Sequence, residues 1–156
     1  MHKLKISQIQ FEARALPIQN AILLKKYFEK TINYNPDLIC TPECSNLITN
    51  NKKHLLDSSN YESDCPVLQM AKLYARQHKV NINLGSLLLK LKKNNKLVNR
   101  SFFINTIGTV IKKYDKIHMF DVNIDKNETH RESDNFQAGK NLAFLRLKNI
   151  KIGLTI

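Results

Sequence analysis

The amino-acid sequence predicts an α/β fold in which helices layer on a sheet, and three observations lead there. Apolar residues alternate at the start of the chain, they recur at three- and four-residue spacing over residues 17–32, and after a second strand–helix pair the pattern turns to strands and stays with them. The 156 residues, 42% of them hydrophobic, suit one domain spanning 1–156 with a core of its own.

Residues 3–11 form the first expected strand, with Leu4, Ile6, Ile9 and Phe11 as its apolar members and room for a bulge between Ile6 and Ile9. Pro17 fits the first turn of a helix, where a missing N–H costs nothing. Ile18, Ala21, Ile22, Leu24 and Phe28 supply its apolar face up to Ile32, and residues 33–36 stop it. Asp37-Leu-Ile-Cys-Thr41 is a short apolar run closed by Pro42, the pattern of a buried strand. Residues 44–64 are polar and turn-rich, so a loop is expected. Asp64 is expected to cap the next helix, with Pro66 in its first turn and Val67, Ala71, Tyr74 and His78 on its face. Residues 80–91 and 97–109 read as strands, and Gly108 turns the chain into another over 109–118. A loop is expected over 121–140, then two closing strands at 142–147 and 151–156. The last strand leaves Ile152, Leu154 and Ile156 at the end of the sequence, the pattern expected of an interrupted sheet.

The formal charge is +12, from 25 Lys+Arg against 13 Asp+Glu, which raises the question of nucleic acid. The lysines are spread out, however, with only pairs at Lys52-Lys53, Lys92-Lys93 and Lys112-Lys113, so a solvated basic surface is favoured. A basic module that binds nucleic acid or an acidic partner is the rival reading. No apolar run approaches the roughly 18–20 residues that cross a bilayer, and the opening residues lack a leader's apolar stretch. A cytoplasmic protein without membrane contact is expected. Cys40, Cys44 and Cys65 are an odd set, expected as free thiols, and with the scattered histidines they match no zinc spacing, so neither metal nor cofactor is expected.

Glu43 stands directly after the strand 37–41, where α/β proteins commonly place active-site groups, although a carboxylate there is more often a solvated loop residue or helix cap. Lys116, alternating on its strand, equally reads as facing water.

Three segments taken in order change that balance: Asp37-Leu-Ile-Cys-Thr-Pro-Glu43, Lys112-Lys-Tyr-Asp-Lys-Ile-His-Met-Phe-Asp-Val122 and Lys151-Ile-Gly-Leu-Thr-Ile156. Together they resemble the nitrilase superfamily of carbon-nitrogen hydrolases, especially its amidase branch near omega-amidase. Arg131-Glu-Ser-Asp-Asn-Phe-Gln-Ala-Gly139 adds a further match.

The resemblance implies a four-layer α-β-β-α sandwich and a Glu-Lys-Cys triad that hydrolyses a small amide or nitrile through a thioester. Glu43 matches the general base and Lys116 the cation facing the oxyanion. Glu132 matches a second, positioning glutamate, with Glu128 close by as the competing assignment. The family's nucleophile follows the strand that 151–156 resembles, so the sequence is expected to be a truncated, partial sandwich: an incomplete hydrolase domain, inactive alone. A complementary C-terminal fragment, a homodimer, or both are its possible partners. Cys44 is expected to point away from Glu43 on an extended segment and Cys40 to face the core, so neither substitutes for the nucleophile. His118 reads as a structural hydrogen-bonding residue.

Overall fold

The two segments richest in buried apolar residues become the central strands of the sheet, flanked on both faces as such strands must be. The computed structural model describes residues 3–94, 96–123 and 129–156. The element order is β1 (Ile6–Gln8), α1 (Pro17–Ile32), β2 (Leu38–Cys40), α2 (Lys52–Ser58), β3 (Asn60–Tyr61), α3 (Pro66–His78), β4 (Asn81–Lys90), β5 (Leu97–Ile104), β6 (Val110–Asp115), β7 (Asp121–Asn123), β8 (Thr129–Arg131), β9 (Ala143–Leu147) and β10 (Ile150–Leu154).

The main sheet runs β1-β2-β4-β5-β6, with β3 paired to the far end of β4. The first three strands are parallel and the last three antiparallel. Strand alternation divides the core. Ile39, Ile82, Leu84, Phe102 and Ile104 pack with Leu24 and Phe28 of α1 and with Val67, Ala71 and Tyr74 of α3. Their neighbours Leu38 and Phe103, with Tyr114, pack instead with Ala143 and Leu154 of the antiparallel hairpin β9–β10. The described residues therefore form helix, sheet and hairpin layers, an α–β–β stack, which is the expected partial form of the α-β-β-α sandwich.

Helix α1 has the expected bounds, with Pro17 in its first turn, but its buried face is Ala21, Leu24 and Phe28 together with Asn20, while Ile18 and Ile22 stay more than half exposed. Asp64 does not cap α3: Cys65 takes that position without a side-chain hydrogen bond, and Asp64 closes a short 3-10 turn at Glu62–Asp64. Cys65 has no side-chain oxygen with which to accept from the first turn, and the missing N–H of Pro66 is one that a cap does not serve. Lys79, at φ 54°, ends the helix in the left-handed conformation.

Two expected loops contain regular structure. Within 44–64 lies α2, begun by Asn51, whose side chain accepts from the His54 N–H, and anchored by the buried Leu55. Within 121–140 lie the β7–β8 pairing and a 3-10 turn at Glu132–Asp134. The first strand is shorter than expected, and the turn between β9 and β10 uses Lys148 and Asn149 at positive φ.

Candidate active site

After β2 the chain crosses over β4 instead of leaving the sheet, and that crossing places Glu43. Thr41 N–H donates to Asn83 O at 3.0 Å, Ser45 N–H to Ser86 O at 2.9 Å and Cys44 N–H to the Ser86 hydroxyl at 2.9 Å. Asn46 behaves as an extra strand residue: its Nδ2 donates to Leu88 O and its Oδ1 accepts from Leu88 N–H, each at 2.8 Å. The buried Asn20 donates from Nδ2 to Asn46 O at 2.8 Å, which ties the crossing to α1. No buried side-chain nitrogen or oxygen of residues 41–46 lacks a partner, so this polar sequence is compatible with a dry setting.

Beneath the crossing, the β4–β5 pairing shifts register between Leu84 and Leu87, and Gly85 faces the Thr41–Pro42 backbone. A Cβ at Gly85 would lie 2.6 Å from Pro42 O and overlap Thr41 O. Cys44 has φ 55° and so is not part of an extended segment. The expectation that it points away from Glu43 is corrected: Glu43 and Cys44 line the same cavity.

Lys116 follows β6 and is held from two sides. Its N–H donates to Asn99 O at 2.9 Å, and its carbonyl accepts from Gly139 N–H at 2.8 Å. Its Nζ lies 3.3 Å from Glu43 Oε1 and 3.0 Å from Glu132 Oε2, although the three residues come from separate segments. Lys116 is 14% exposed and Glu132 11%, so neither is a solvated surface group, while Glu43 is half open at 49%. Glu132 Oε2 also accepts from Phe120 N–H at 2.7 Å, which orients that carboxylate. Asn99 Nδ2 donates to Glu43 Oε1 at 2.7 Å. Glu128 lies outside the described residues, and His118 is exposed and does not line the cavity.

The cavity has a volume of about 770 Å³ and is bounded by Leu55, Leu88, Phe120 and Phe136 besides the charged residues. Burial pulls the Lys116 ammonium toward neutrality, but the Glu132 hydrogen bond and the charges of Glu43 and Glu132 outweigh it, and its pKa is raised above the ordinary 10.5. It is therefore a firm cation at neutral pH. Burial and then the Glu43 charge push the Cys44 thiol up to about 12, and burial pushes Cys40 up to about 11. Cys65 is fully buried in the core and also raised by burial. All three thiols stay protonated at neutral pH and are poor nucleophiles.

Glu43, Lys116 and Glu132 were singled out in the sequence and the fold brings them together. Asn99 was missed as a site residue. Its signal was a lone amide among the apolar residues that open β5, and it is 1% exposed.

The arrangement joins a partly open carboxylate to a cation on one cavity wall, which is what proton transfer beside a developing oxyanion requires. Known proteins with the same arrangement of chain were found. A deaminated glutathione amidase of Yersinia enterocolitica is 32% identical over 131 residues, covering 81% of this chain and 45% of its own length. An omega-amidase of Saccharomyces cerevisiae is 26% identical over 160 residues, covering 99% and 55%. The chain thus spans about half the length of the curated relatives it matches.

Among solved structures, a CN-hydrolase superfamily protein of Xanthomonas campestris superposes with a TM-score of 0.79 at 23% identity, over 98% of this chain and 52% of the other. An amidase mutant from Nesterenkonia, carrying the acetamide moiety of fluoroacetamide at its active-site cysteine, gives 0.79 at 16%, over 97% and 55%. Among the described residues no helix is long and apolar enough to cross a membrane. The carbon-nitrogen hydrolase profile matches residues 6–156, a stretch that takes in the crossing with Glu43, the strand before Lys116 and the turn at Glu132, and the chain belongs to that family.

Proposed function

We propose that this chain supplies the base and oxyanion half of an amidase that hydrolyses small amides, with Glu43 as general base, Lys116 as the oxyanion cation and Glu132 holding Lys116 in place. The observation that carries the reading is the Lys116 ammonium set between Glu43 at 3.3 Å and Glu132 at 3.0 Å on the wall of a substrate-sized cavity. An ammonium has three donors, so with one on each carboxylate a third remains for a substrate oxygen.

The nucleophile in this reading is a cysteine from outside these 156 residues, because Cys65 is buried, Cys40 and Cys44 are half-buried, and burial keeps all three thiols protonated. It reaches the cavity either from a further segment of the same polypeptide or from a complementary chain. In the reaction its thiol proton passes to Glu43 as sulfur bonds to the amide carbon, and the negative charge that forms on oxygen is met by Lys116. Collapse breaks the carbon–nitrogen bond, and the proton on Glu43 leaves with ammonia. Water then attacks the thioester, giving up a proton to Glu43, and the acid and the free thiol are released. The oxyanion contact is worth roughly 3 kcal/mol for a well-placed donor.

Three features support the amide class: the membership of the family, the amidases among the similar proteins and the charge pattern of the cavity. The test is ammonia release from a panel of small amides, with the chain alone and with the coding sequence that follows it. Activity that needs the second piece and disappears in Glu43→Gln is the expected result. Full activity in both Glu43→Gln and Lys116→Ala, or none with any amide, overturns the reading.

A further inference from the structure

The geometry points to Asn99 as the positioning residue that decides which oxygen of Glu43 acts as the base. This rests on the amidase reading above and concerns the same cavity. Asn99 bonds to both residues: its carbonyl accepts from the backbone N–H of Lys116 at 2.9 Å and its Nδ2 donates to Glu43 Oε1 at 2.7 Å. It sits in β5 opposite Leu88, so the strand ladder fixes where its side chain starts.

The cost of this residue shows what it is for. Asn99 is 1% exposed, and its Oδ1 is buried without a hydrogen-bond partner among the described residues. A leucine there would leave no orphaned acceptor, so the amide is explained by its nitrogen and not by packing. The amide orientation is also determined: turned over, Oδ1 would sit against a carboxylate oxygen, a contact of two acceptors.

Glu43 Oε1 receives two donors, Asn99 Nδ2 at 2.7 Å and Lys116 Nζ at 3.3 Å, and those occupy its two lone pairs. Oε2 accepts no hydrogen bond from the described residues, and the side chain is half open. Oε2 is therefore the oxygen that takes and returns the proton. Without Asn99 the carboxylate would turn about its last bond and present either oxygen, with Lys116 following it away from the oxyanion position.

The experiment uses the chain itself and needs no turnover, so its outcome is separate from the fate of the amidase reading. The side-chain amide protons of Asn99 are assigned by nuclear magnetic resonance, and their shift and exchange rate are followed in Glu43→Gln and Glu43→Ala. Glu43→Gln keeps an oxygen at the Oε1 position and its nitrogen at Oε2, so the protected Asn99 proton persists. Glu43→Ala removes the acceptor, and exchange of that proton becomes about tenfold faster or more. In Asn99→Leu the urea midpoint stays level or rises while the Lys116 side-chain resonances broaden or move. An Asn99 amide that is unchanged in Glu43→Ala overturns the assignment, as does one lost equally in Glu43→Gln. Failure of Asn99→Leu to fold leaves the measurements on the two Glu43 variants to decide.

Discussion

Asp115 and Lys116 are adjacent in the chain, yet each belongs to a different charge cluster, and the two clusters are built differently. On one side Arg100 grips Asp115 with two parallel bonds, 2.5 Å from Nε and 2.8 Å from Nη2, and reaches Glu62 from Nη1 at 2.8 Å. Lys113 completes that cluster on Glu62. Two cations meet two carboxylates, and none of the four lines the cavity beside Lys116. On the other side Lys116 is, among the described residues, the one cation in ion-pair contact with Glu43 and Glu132, with a cavity beside it. Neutral, forked geometry fastens strands together, whereas an unbalanced cluster with one open carboxylate keeps proton affinity and a donor in reserve. Distance alone would not separate the two.

The sharpest way to break this contrast is Lys116→Ala in the proposed amidase assembly, where kcat per folded molecule should fall about 10²–10³-fold. If stability collapses and the rate of the remaining folded protein is normal, Lys116 belongs with the structural cluster. Next, Arg100→Leu leaves Asp115 and Glu62 facing each other, and partial exposure of these side chains reduces the penalty of a fully buried break to about 2 kcal/mol. Equilibrium unfolding reads it, and an unchanged midpoint would remove the structural role.

The clusters should also part company with pH. Burial raises the Glu62 carboxyl, but the Lys113 hydrogen bond and charge and the Arg100 hydrogen bond outweigh it, and its folded pKa lies below the ordinary 4.5. Its stabilisation is therefore present above that ordinary value and lost as pH falls through the folded one. Lys116 is shifted up, so its contribution is complete below about 10.5 and lost as pH rises through the folded value. Unfolding midpoints measured at both ends should show Arg100→Leu blunting the acid loss and Lys116→Ala the alkaline one. The smallest effect is expected for Lys113→Ala, about 0–1 kcal/mol, because that lysine is 44% exposed.

Legibility in the sequence followed the strength of the local signal. Helix α1 was read to the residue because Pro17 and the 33–36 segment mark its ends, and β4 and β5 were found, the latter drawn too long, because their apolar runs are long. Helix α2 was missed because seven residues with one buried leucine leave no repeat to find. The β7–β8 pairing was missed because Asp121–Asn123 has only one apolar side chain. Taken residue by residue, Glu43 and Lys116 read no better as site residues than as surface groups, and only the order of three segments singled them out. What the sequence could not display was the long-range accounting: Asn20, Asn46 and Asn99 are polar residues whose hydrogen bonds are completed 26, 42 and 56 positions away.

Gly85 carries a consequence for how this protein tolerates variation. The Thr41–Pro42 backbone rests where a methyl group would stand, so even alanine at that position must lift the strand crossing that delivers Glu43. In a library of all single substitutions, position 85 should behave like an active-site position although its residue has no side chain and touches no substrate. A clearance of one carbon atom works there as a gauge block, setting the height at which a carboxylate stands above the sheet.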